Sequence, residues 1–190
     1  YPIAILNDPA AKKFIDGSAF HLYGGPIEAL SEVHAAHPDK NLYFTEQWIG
    51  SPGNMEGDLK WHIKNLMIGG PRNWAKTVLE WNLAADPQQN PHTDGGCTEC
   101  LGAITLDQDK VTRNPAYYIM AHASKFVKPG AKRIYSNNTL SLANVAFKNP
   151  DGKTVLLVVN DSGKEESFRV NAGAKGFTHT LAAGAVATLV

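Results

Sequence analysis

Long apolar runs and net charge are both scarce in this sequence of 190 residues. No apolar run approaches the roughly 18 residues that span a bilayer, and residues 1–8 lack the charged start and apolar stretch of a signal peptide. Eighteen basic side chains balance 18 acidic ones, so the formal net charge is zero. The short apolar runs predict no transmembrane segment. Because a neutral chain has no bulk attraction for polyanions, we also expect no nucleic-acid partner. A small neutral substrate fits better.

The sequence also lacks an initial methionine and the length of a complete α/β barrel. It begins at Tyr1, so we expect a mature, processed or excised piece whose targeting segment lay upstream. A hydrophobic content of 43% supports a folded core. The length suits one medium domain or two small ones, and it falls short of the roughly 250 residues of an eight-stranded barrel.

Cysteine is limited to Cys97 and Cys100, which form a single CxxC motif. One pair is not a disulfide scaffold, and a structural zinc site needs four ligands, whereas no second cysteine pair exists. A local disulfide or two unreactive thiols is the favoured interpretation, and a redox or metal site is the alternative. The seven histidines show no common ligand spacing, so we expect no metal and no cofactor.

The first 130 residues alternate predicted strands with predicted helices. Strands are predicted at residues 18–23, 41–46 and 77–83, and apolar residues at three- and four-residue spacing predict helices at 27–38, 58–68 and 114–127. Gly69-Gly70-Pro71 is expected to stop the second helix, and residues 86–102 are expected to form a long irregular loop. Such alternation predicts parallel βαβ units.

Residues 131–190 have a different pattern, with short alternating segments separated by turns. Strands are predicted at residues 133–136, 143–148, 154–160, 166–170, 177–181 and 185–190. Asn149-Pro150-Asp151-Gly152 is a strong hairpin signal between two of them. The predicted fold class is therefore α/β for residues 1–130, followed by an antiparallel all-β domain for residues 131–190.

Candidate functional side chains stand where the three predicted parallel strands end, since enzymes of this type place their reacting groups there. They are His21 and Tyr23, then Glu46 and Trp48, then Glu80, Trp81 and Asn82. A carboxylate is an unusual residue to follow a buried apolar run. Tryptophan faces stack on the C–H surfaces of sugars, and imidazole and amide groups bind hydroxyls. This set favours a neutral carbohydrate as the ligand.

Four segments of the chain resemble glycoside hydrolase family 30, the family of glucosylceramidases and bacterial β-glucosidases and β-1,6-glucanases. They are Phe20-His21-Leu22-Tyr23, the run LYFTEQW at residues 42–48, the run EWNLAADP at residues 80–87 and the run AHASKFVKPG at residues 121–130. The resemblance implies that the chain corresponds to the last three βα units of a (β/α)8 barrel plus most of a side β-sandwich. The barrel is then incomplete in this chain.

The resemblance also implies a retaining double displacement, in which one carboxylate is the nucleophile and a second is the acid/base. Glu46 matches the nucleophile position, and Tyr23 is placed to orient it by a hydrogen bond. The implied substrate-binding residues are His21, Trp48, Trp81, Asn82 and, from the long loop, His92. The implied substrate is a β-glucoside or β-glucan, and the parent protein is expected to be secreted or periplasmic.

The second carboxylate is missing from this pattern. The family's acid/base glutamate follows an asparagine, and the sequence contains no Asn-Glu dipeptide. Either an N-terminal segment or a second chain supplies this group, or the piece is inactive alone. A noncatalytic carbohydrate-binding or structural fragment is therefore the competing hypothesis, and a CxxC redox or metal protein is the third.

Overall fold

Three parallel strands form the sheet around which the first part of the chain is built. The computed structural model describes every residue from Tyr1 to Val190. The strands are β1 (Gly17–His21), β2 (Asn41–Glu46) and β3 (Ala75–Val78), in the order β1-β2-β3. Leu42 and Phe44 of the central strand are almost fully buried. The predicted βαβ pattern is confirmed, and β2 has the predicted bounds.

Helices precede, connect and follow these strands. They are α1 (Pro2–Leu6), α2 (Pro9–Lys12), α3 (Ala29–Ala36), α4 (Met55–His62), a π-helix (Ile63–Ile68), α5 (Gly69–Arg72) and α6 (Pro115–Ser124). The Asn54 side chain begins α4 by accepting a hydrogen bond from the Gly57 amide at 2.8 Å. None of the helices has the length and apolar character needed to cross a bilayer.

Two of the predicted boundaries in this part are wrong by four residues or more. The second helix does not stop at Gly69-Gly70-Pro71, because the π-helix continues directly into α5, which contains all three residues. The third strand ends at Val78 rather than at residue 83. Beyond it the chain follows β2 irregularly, and Trp81 pairs with Trp48 in an isolated parallel bridge.

A small sheet that we did not predict follows the third parallel strand. It contains β4 (Ala84–Ala85), β5 (Ile104–Asp107) and β6 (Lys110–Arg113), with β5 in the centre. All four residues of β6 are exposed. Without a buried face, the hairpin shows no alternation of apolar and polar residues from which it can be predicted.

The second part of the chain is an antiparallel all-β domain, as predicted. Its strands are β7 (Lys132–Ile134), β8 (Leu142–Lys148), β9 (Thr154–Asn160), β10 (Glu166–Ala172), β11 (Lys175–Leu181) and β12 (Val186–Leu189). Four of them form a sheet in the order β12-β9-β8-β7, and β10 and β11 form a separate hairpin. The full seven-residue register of β8 on β9 makes this pair the centre of the domain.

One hydrophobic core joins the two parts. A cluster of 17 buried residues includes Ile63 and Leu66 of the π-helix together with Val145, Leu157 and Val159 of β8 and β9. Polar contacts reinforce the same junction. Arg72 donates to the backbone oxygens of Asn144 and Ser136, and Lys64 pairs with Asp161.

Candidate active site

The carboxyl ends of the parallel strands bring the predicted site residues to one edge of the sheet. His21, at the end of β1, is in register with Glu46, at the end of β2. Trp48 and Trp81 form the next parallel bridge beyond them. Side chains that are 60 residues apart in the sequence thus become neighbours, as expected where parallel strands end together.

Glu46 is held by a phenol. The Tyr23 hydroxyl donates a hydrogen bond to Glu46 Oε1 at 2.8 Å, and about half of the Tyr23 residue is exposed. Partial burial, this hydrogen bond and the negative charges of Glu46 and Glu80 raise the pKa of the Tyr23 phenol well above its usual value. Tyr23 therefore stays protonated, and remains a hydrogen-bond donor, throughout the neutral pH range.

His21 lies beside this pair without a hydrogen bond to it. Its Nδ1 atom is 3.8 Å from Glu46 Oε1, which exceeds hydrogen-bonding distance. The imidazole ring packs edge-on against the Tyr23 ring, with centroids 5.7 Å apart and an interplanar angle of 89°. This contact fixes the tyrosine ring from one side and leaves the histidine nitrogens available to a ligand.

An aromatic cleft opens in front of Glu46. It has a volume of about 440 Å³ and is lined by Tyr23, Glu46, Trp48, Trp81, Cys97 and Cys100. Trp81 is 48% exposed, so its ring is accessible to a ligand. A carboxylate beside accessible indole rings presents an acid and an apolar stacking surface in one cavity, which suits a sugar ring.

The two cysteines of the CxxC motif form a disulfide, so neither is a free thiol. The favoured interpretation left open a disulfide or two thiols, and the structure contains the disulfide. No group of three or more His, Cys, Asp or Glu side chains is placed to hold a metal ion. The position of the disulfide in the cleft wall was not predicted, because it depends on where the long loop folds back.

A second acid lies behind the cleft. Glu80 Oε1 is 2.8 Å from Nδ1 of His62, and the two side chains are 3% and 6% exposed. Glu80 stands among the strand-end candidates without a role, and the sequence does not predict its pairing with His62, since nothing in a helical histidine identifies a partner 18 residues away. Glu80 Oε2, Gln47 Oε1 and Asn82 Oδ1 are buried without a hydrogen-bond partner.

Asn82 and His92 do not line the cleft. The Asn82 carbonyl accepts the Ala103 amide at 2.8 Å, and its side-chain oxygen is one of the buried unpartnered acceptors. His92 is exposed, and its Nδ1 atom is 3.2 Å from the Thr93 carbonyl. The structure therefore brings together Tyr23, Glu46, Trp48 and Trp81, with His21 at the border.

A parallel sheet with a ligand cleft at its carboxyl edge, followed by an antiparallel β-domain, is the architecture of the α/β-barrel glycoside hydrolases that carry a β-sandwich. The chain belongs to glycoside hydrolase family 30. The family model for the glycosyl hydrolase family 30 TIM-barrel domain matches residues 2–127, and that for the family 30 beta sandwich domain matches residues 130–189.

Relatives of known activity support this membership. The chain is 32% identical over 175 residues to the endo-1,6-beta-D-glucanase neg1 of Aspergillus fumigatus, covering 87% of the chain and 34% of that protein. It is 27% identical over 197 residues to the lysosomal acid glucosylceramidase of Mus musculus, covering 95% and 37% respectively. A solved endo-beta1,6-glucanase superposes with a TM-score of 0.90 at 34% identity, covering 99% of this chain and 43% of that one. The chain thus spans about a third of the length of these curated relatives.

Proposed function

We propose that the chain is part of a retaining β-glycoside hydrolase of the β-1,6-glucanase or glucosylceramidase type. The observation that carries the proposal is Glu46, which accepts a hydrogen bond from Tyr23 and faces a cleft lined by Trp48 and Trp81. In this proposal β1, β2 and β3 are the last three strands of the (β/α)8 barrel. The substrate is a neutral β-glucoside or β-glucan.

Glu46 is the proposed nucleophile. Its carboxylate attacks the anomeric carbon and forms a glycosyl ester, while the acid/base carboxyl protonates the departing glycosidic oxygen. Water then attacks the same carbon while the acid/base carboxylate takes its proton, the ester bond to Glu46 breaks, and the sugar leaves with its anomeric configuration retained. The Tyr23 hydrogen bond occupies Oε1, which orients the carboxylate and leaves Oε2 for the attack.

The sugar is proposed to rest on indole rings. Trp81 provides the floor of the subsite for the reacting sugar, and Trp48 and His21 border it. An indole face stacks on the C–H face of a pyranose, and the imidazole nitrogens bind its hydroxyls. Asn82 and His92 lie outside the present cleft lining, so their proposed contacts with substrate require a longer oligosaccharide or further elements of the barrel.

The acid/base is proposed to come from an N-terminal segment or from a second chain. Glu80 is the other acid next to the site, but it is 3% exposed and engaged by His62, which leaves it inaccessible to a leaving group. A retaining mechanism requires the second carboxyl group about 5 to 5.5 Å from the first. The completed barrel must therefore place a glutamate or aspartate on the open side of the cleft.

Covalent trapping tests the nucleophile. It is done in the completed assembly, which is this chain together with the N-terminal segment or second chain that supplies the acid/base. A 2-deoxy-2-fluoro-β-glucoside with a good leaving group should accumulate as an ester on the tryptic peptide of residues 41–60. Glu46→Gln should lower kcat for an aryl β-glucoside by at least about a thousandfold. The matched control is Glu166→Gln, since Glu166 lies in β10 of the β-domain, and its kcat should stay within about twofold of the wild type.

Two outcomes would redirect the proposal. Label on another residue, or wild-type turnover by Glu46→Gln, overturns the nucleophile assignment. If the completed assembly binds gluco-oligosaccharides and releases no product, the chain belongs to a noncatalytic carbohydrate-binding protein. The exposed indole of Trp81 is the observation that supports this second candidate.

A further inference from the structure

The Cys97–Cys100 disulfide is a wall of the cleft that contains Glu46. Of the six residues that line this cleft, four follow the parallel strands directly, and the other two are the disulfide-bonded cysteines. The long loop at residues 86–102 thus contributes nothing to the cleft except its disulfide. The sulfur atoms form an apolar surface in the same cavity as the indole rings.

The Cys100 end of this wall is anchored to the sheet. Gly50 and Cys100 form an antiparallel bridge. On either side of it, the Ser51 amide donates to the Glu99 carbonyl at 2.8 Å, and the Leu101 amide donates to the Ile49 carbonyl at 2.9 Å. Cys100 is only 5% exposed. This end of the loop is therefore fixed to the segment that follows Trp48.

The Cys97 end has no such anchor. Its backbone makes no backbone–backbone hydrogen bond, and the nearest one joins the Gly96 amide to the Thr93 carbonyl within the loop. Residues 91–95 are all exposed. Because the backbone does not fix Cys97, the covalent bond to Cys100 is the link that keeps it in the cleft wall.

We propose that this disulfide positions the loop as a specificity-determining wall of the sugar cleft, and that the wall exists only in the oxidised chain. The inference rests on the proposed function, because it takes the ligand of the cleft to be a neutral β-glucan. In the oxidised state the sulfur surface borders the sugar unit next to the reacting sugar, which rests on Trp81. In the reduced state Cys100 stays on the sheet, while Cys97 leaves the wall with residues 91–96.

Reduction is an ordinary thiol–disulfide exchange with an external dithiol. A thiolate of dithiothreitol attacks one sulfur, the Cys97–Cys100 bond breaks, and a mixed disulfide forms. The second thiol of the reagent then displaces the protein sulfur and closes a cyclic disulfide. Two protein thiols result, and the reagent supplies the two electrons and two protons.

The test compares two substrates in the completed assembly, each before and after reduction. A β-1,6-linked gluco-oligosaccharide fills the cleft beyond the reacting sugar, whereas an aryl β-glucoside carries one sugar ring. We expect reduction to raise KM for the oligosaccharide about tenfold and to raise KM for the aryl glucoside by much less. Reoxidation should restore the original KM for the oligosaccharide.

Variants separate the disulfide from other effects of the reagent. The double variant Cys97→Ser/Cys100→Ser should show the raised oligosaccharide KM permanently and should not respond to dithiothreitol. The matched control is Thr98→Ala, which changes an exposed residue between the two cysteines and should respond to the reagent as the wild type does. If reduction lowers kcat and raises KM equally for both substrates, the disulfide has a general structural role and the proposal is wrong.

Binding measurements distinguish this proposal from the proposed function. The affinity of Glu46→Gln for the oligosaccharide, measured by calorimetry in oxidised and reduced protein, requires no turnover. If turnover is absent but affinity falls on reduction, the hydrolase assignment is wrong and the disulfide wall stands. If turnover is intact but affinity and KM are the same in both redox states, the disulfide proposal is wrong and the hydrolase assignment stands.

Discussion

Buried polar groups are treated differently in the two parts of the molecule. In the β-domain, the fully buried Asn160 side chain donates to the carbonyls of Lys164, Leu181 and Ala182 and accepts from Ser162. Asn149 likewise bonds the backbone of Phe126 and Lys128. In the first part, by contrast, three buried acceptors at the carboxyl ends of β2 and β3 have no partner.

The two parts thus differ in how far their buried polar atoms are satisfied by hydrogen bonds. A buried acceptor without a partner lowers stability, so such an acceptor is expected where a hydrogen-bond donor from outside the chain can reach it. All three acceptors lie within two residues of the Trp48–Trp81 bridge. The buried amides of the β-domain hold turns, whereas the three buried acceptors at the strand ends of the sheet have no donor within this chain.

The shared core predicts that the two parts unfold together despite this difference. Leu157→Ala, in β9, should lower the free energy of unfolding by about 2 to 5 kcal/mol, because Leu157 is 1% exposed. All four tryptophans lie in the first part, so denaturation followed by tryptophan fluorescence reports on that part. We expect its midpoint to move as much as that of far-UV circular dichroism.

Val111→Ala is the control for this experiment, because Val111 is 60% exposed in the β5–β6 hairpin. It should leave both midpoints nearly unchanged. A fluorescence midpoint that ignores Leu157→Ala would show that the two parts are separate folding units.

Removing one asparagine from each part tests the polar comparison directly. Asn160→Ala should lower the free energy of unfolding by about 1 to 3 kcal/mol, since it deprives buried carbonyls of their donor. Asn82→Ala should change it by less than about 0.5 kcal/mol, because its buried oxygen has no partner to lose. Urea denaturation of both variants measures the two effects, and equal losses would contradict the comparison.

The smallest expected effect concerns pH at the junction of the two parts. His122, in α6, lies with Nδ1 3.0 Å from Thr188 Oγ1 of β12, and burial lowers its pKa. The unfolded chain therefore binds a proton at His122 more readily than the folded chain does. Stability should fall as the pH drops below about 6.5, and this loss should end once the lowered native pKa is passed.

His122→Asn should remove this dependence while retaining a polar atom near Thr188. We expect the difference between the Tm values at pH 7.5 and pH 5 to shrink by about 1 to 3 °C relative to the wild type. Melting curves at both pH values measure it. An unchanged or larger pH dependence in the variant would show that protonation of His122 does not lower the stability of the folded chain.

Features with a local signal could be predicted from the sequence. Strand β2 could be predicted with its bounds, because the apolar run of Leu42, Tyr43 and Phe44 is typical of a buried parallel strand. The side chains that follow β1, β2 and β3 could be placed together, since parallel strands end at one edge. The closeness of Tyr23 to Glu46 was expected from the family resemblance.

Features that depend on tertiary contacts could not be predicted. Nothing local in residues 86–102 shows that Cys97 and Cys100 reach the cleft, because their position follows from the pairing of residues 49–51 with 99–101. The contact of His62 with Glu80 joins the end of a helix to the segment that follows β3. The π-helix also went unpredicted, since its apolar residues follow the same spacing as those of an α-helix.

The core that joins the two parts constrains how members of this family can exchange segments. The two family models are divided between residues 127 and 130, yet Val145 and Leu157 of the β-domain belong to the same interior as Ile63 and Leu66 of the π-helix. A β-domain grafted from a relative would therefore arrive without the surface against which it packs. A working chimera should therefore exchange residues 63–68 together with the β-domain, because the two share one interior.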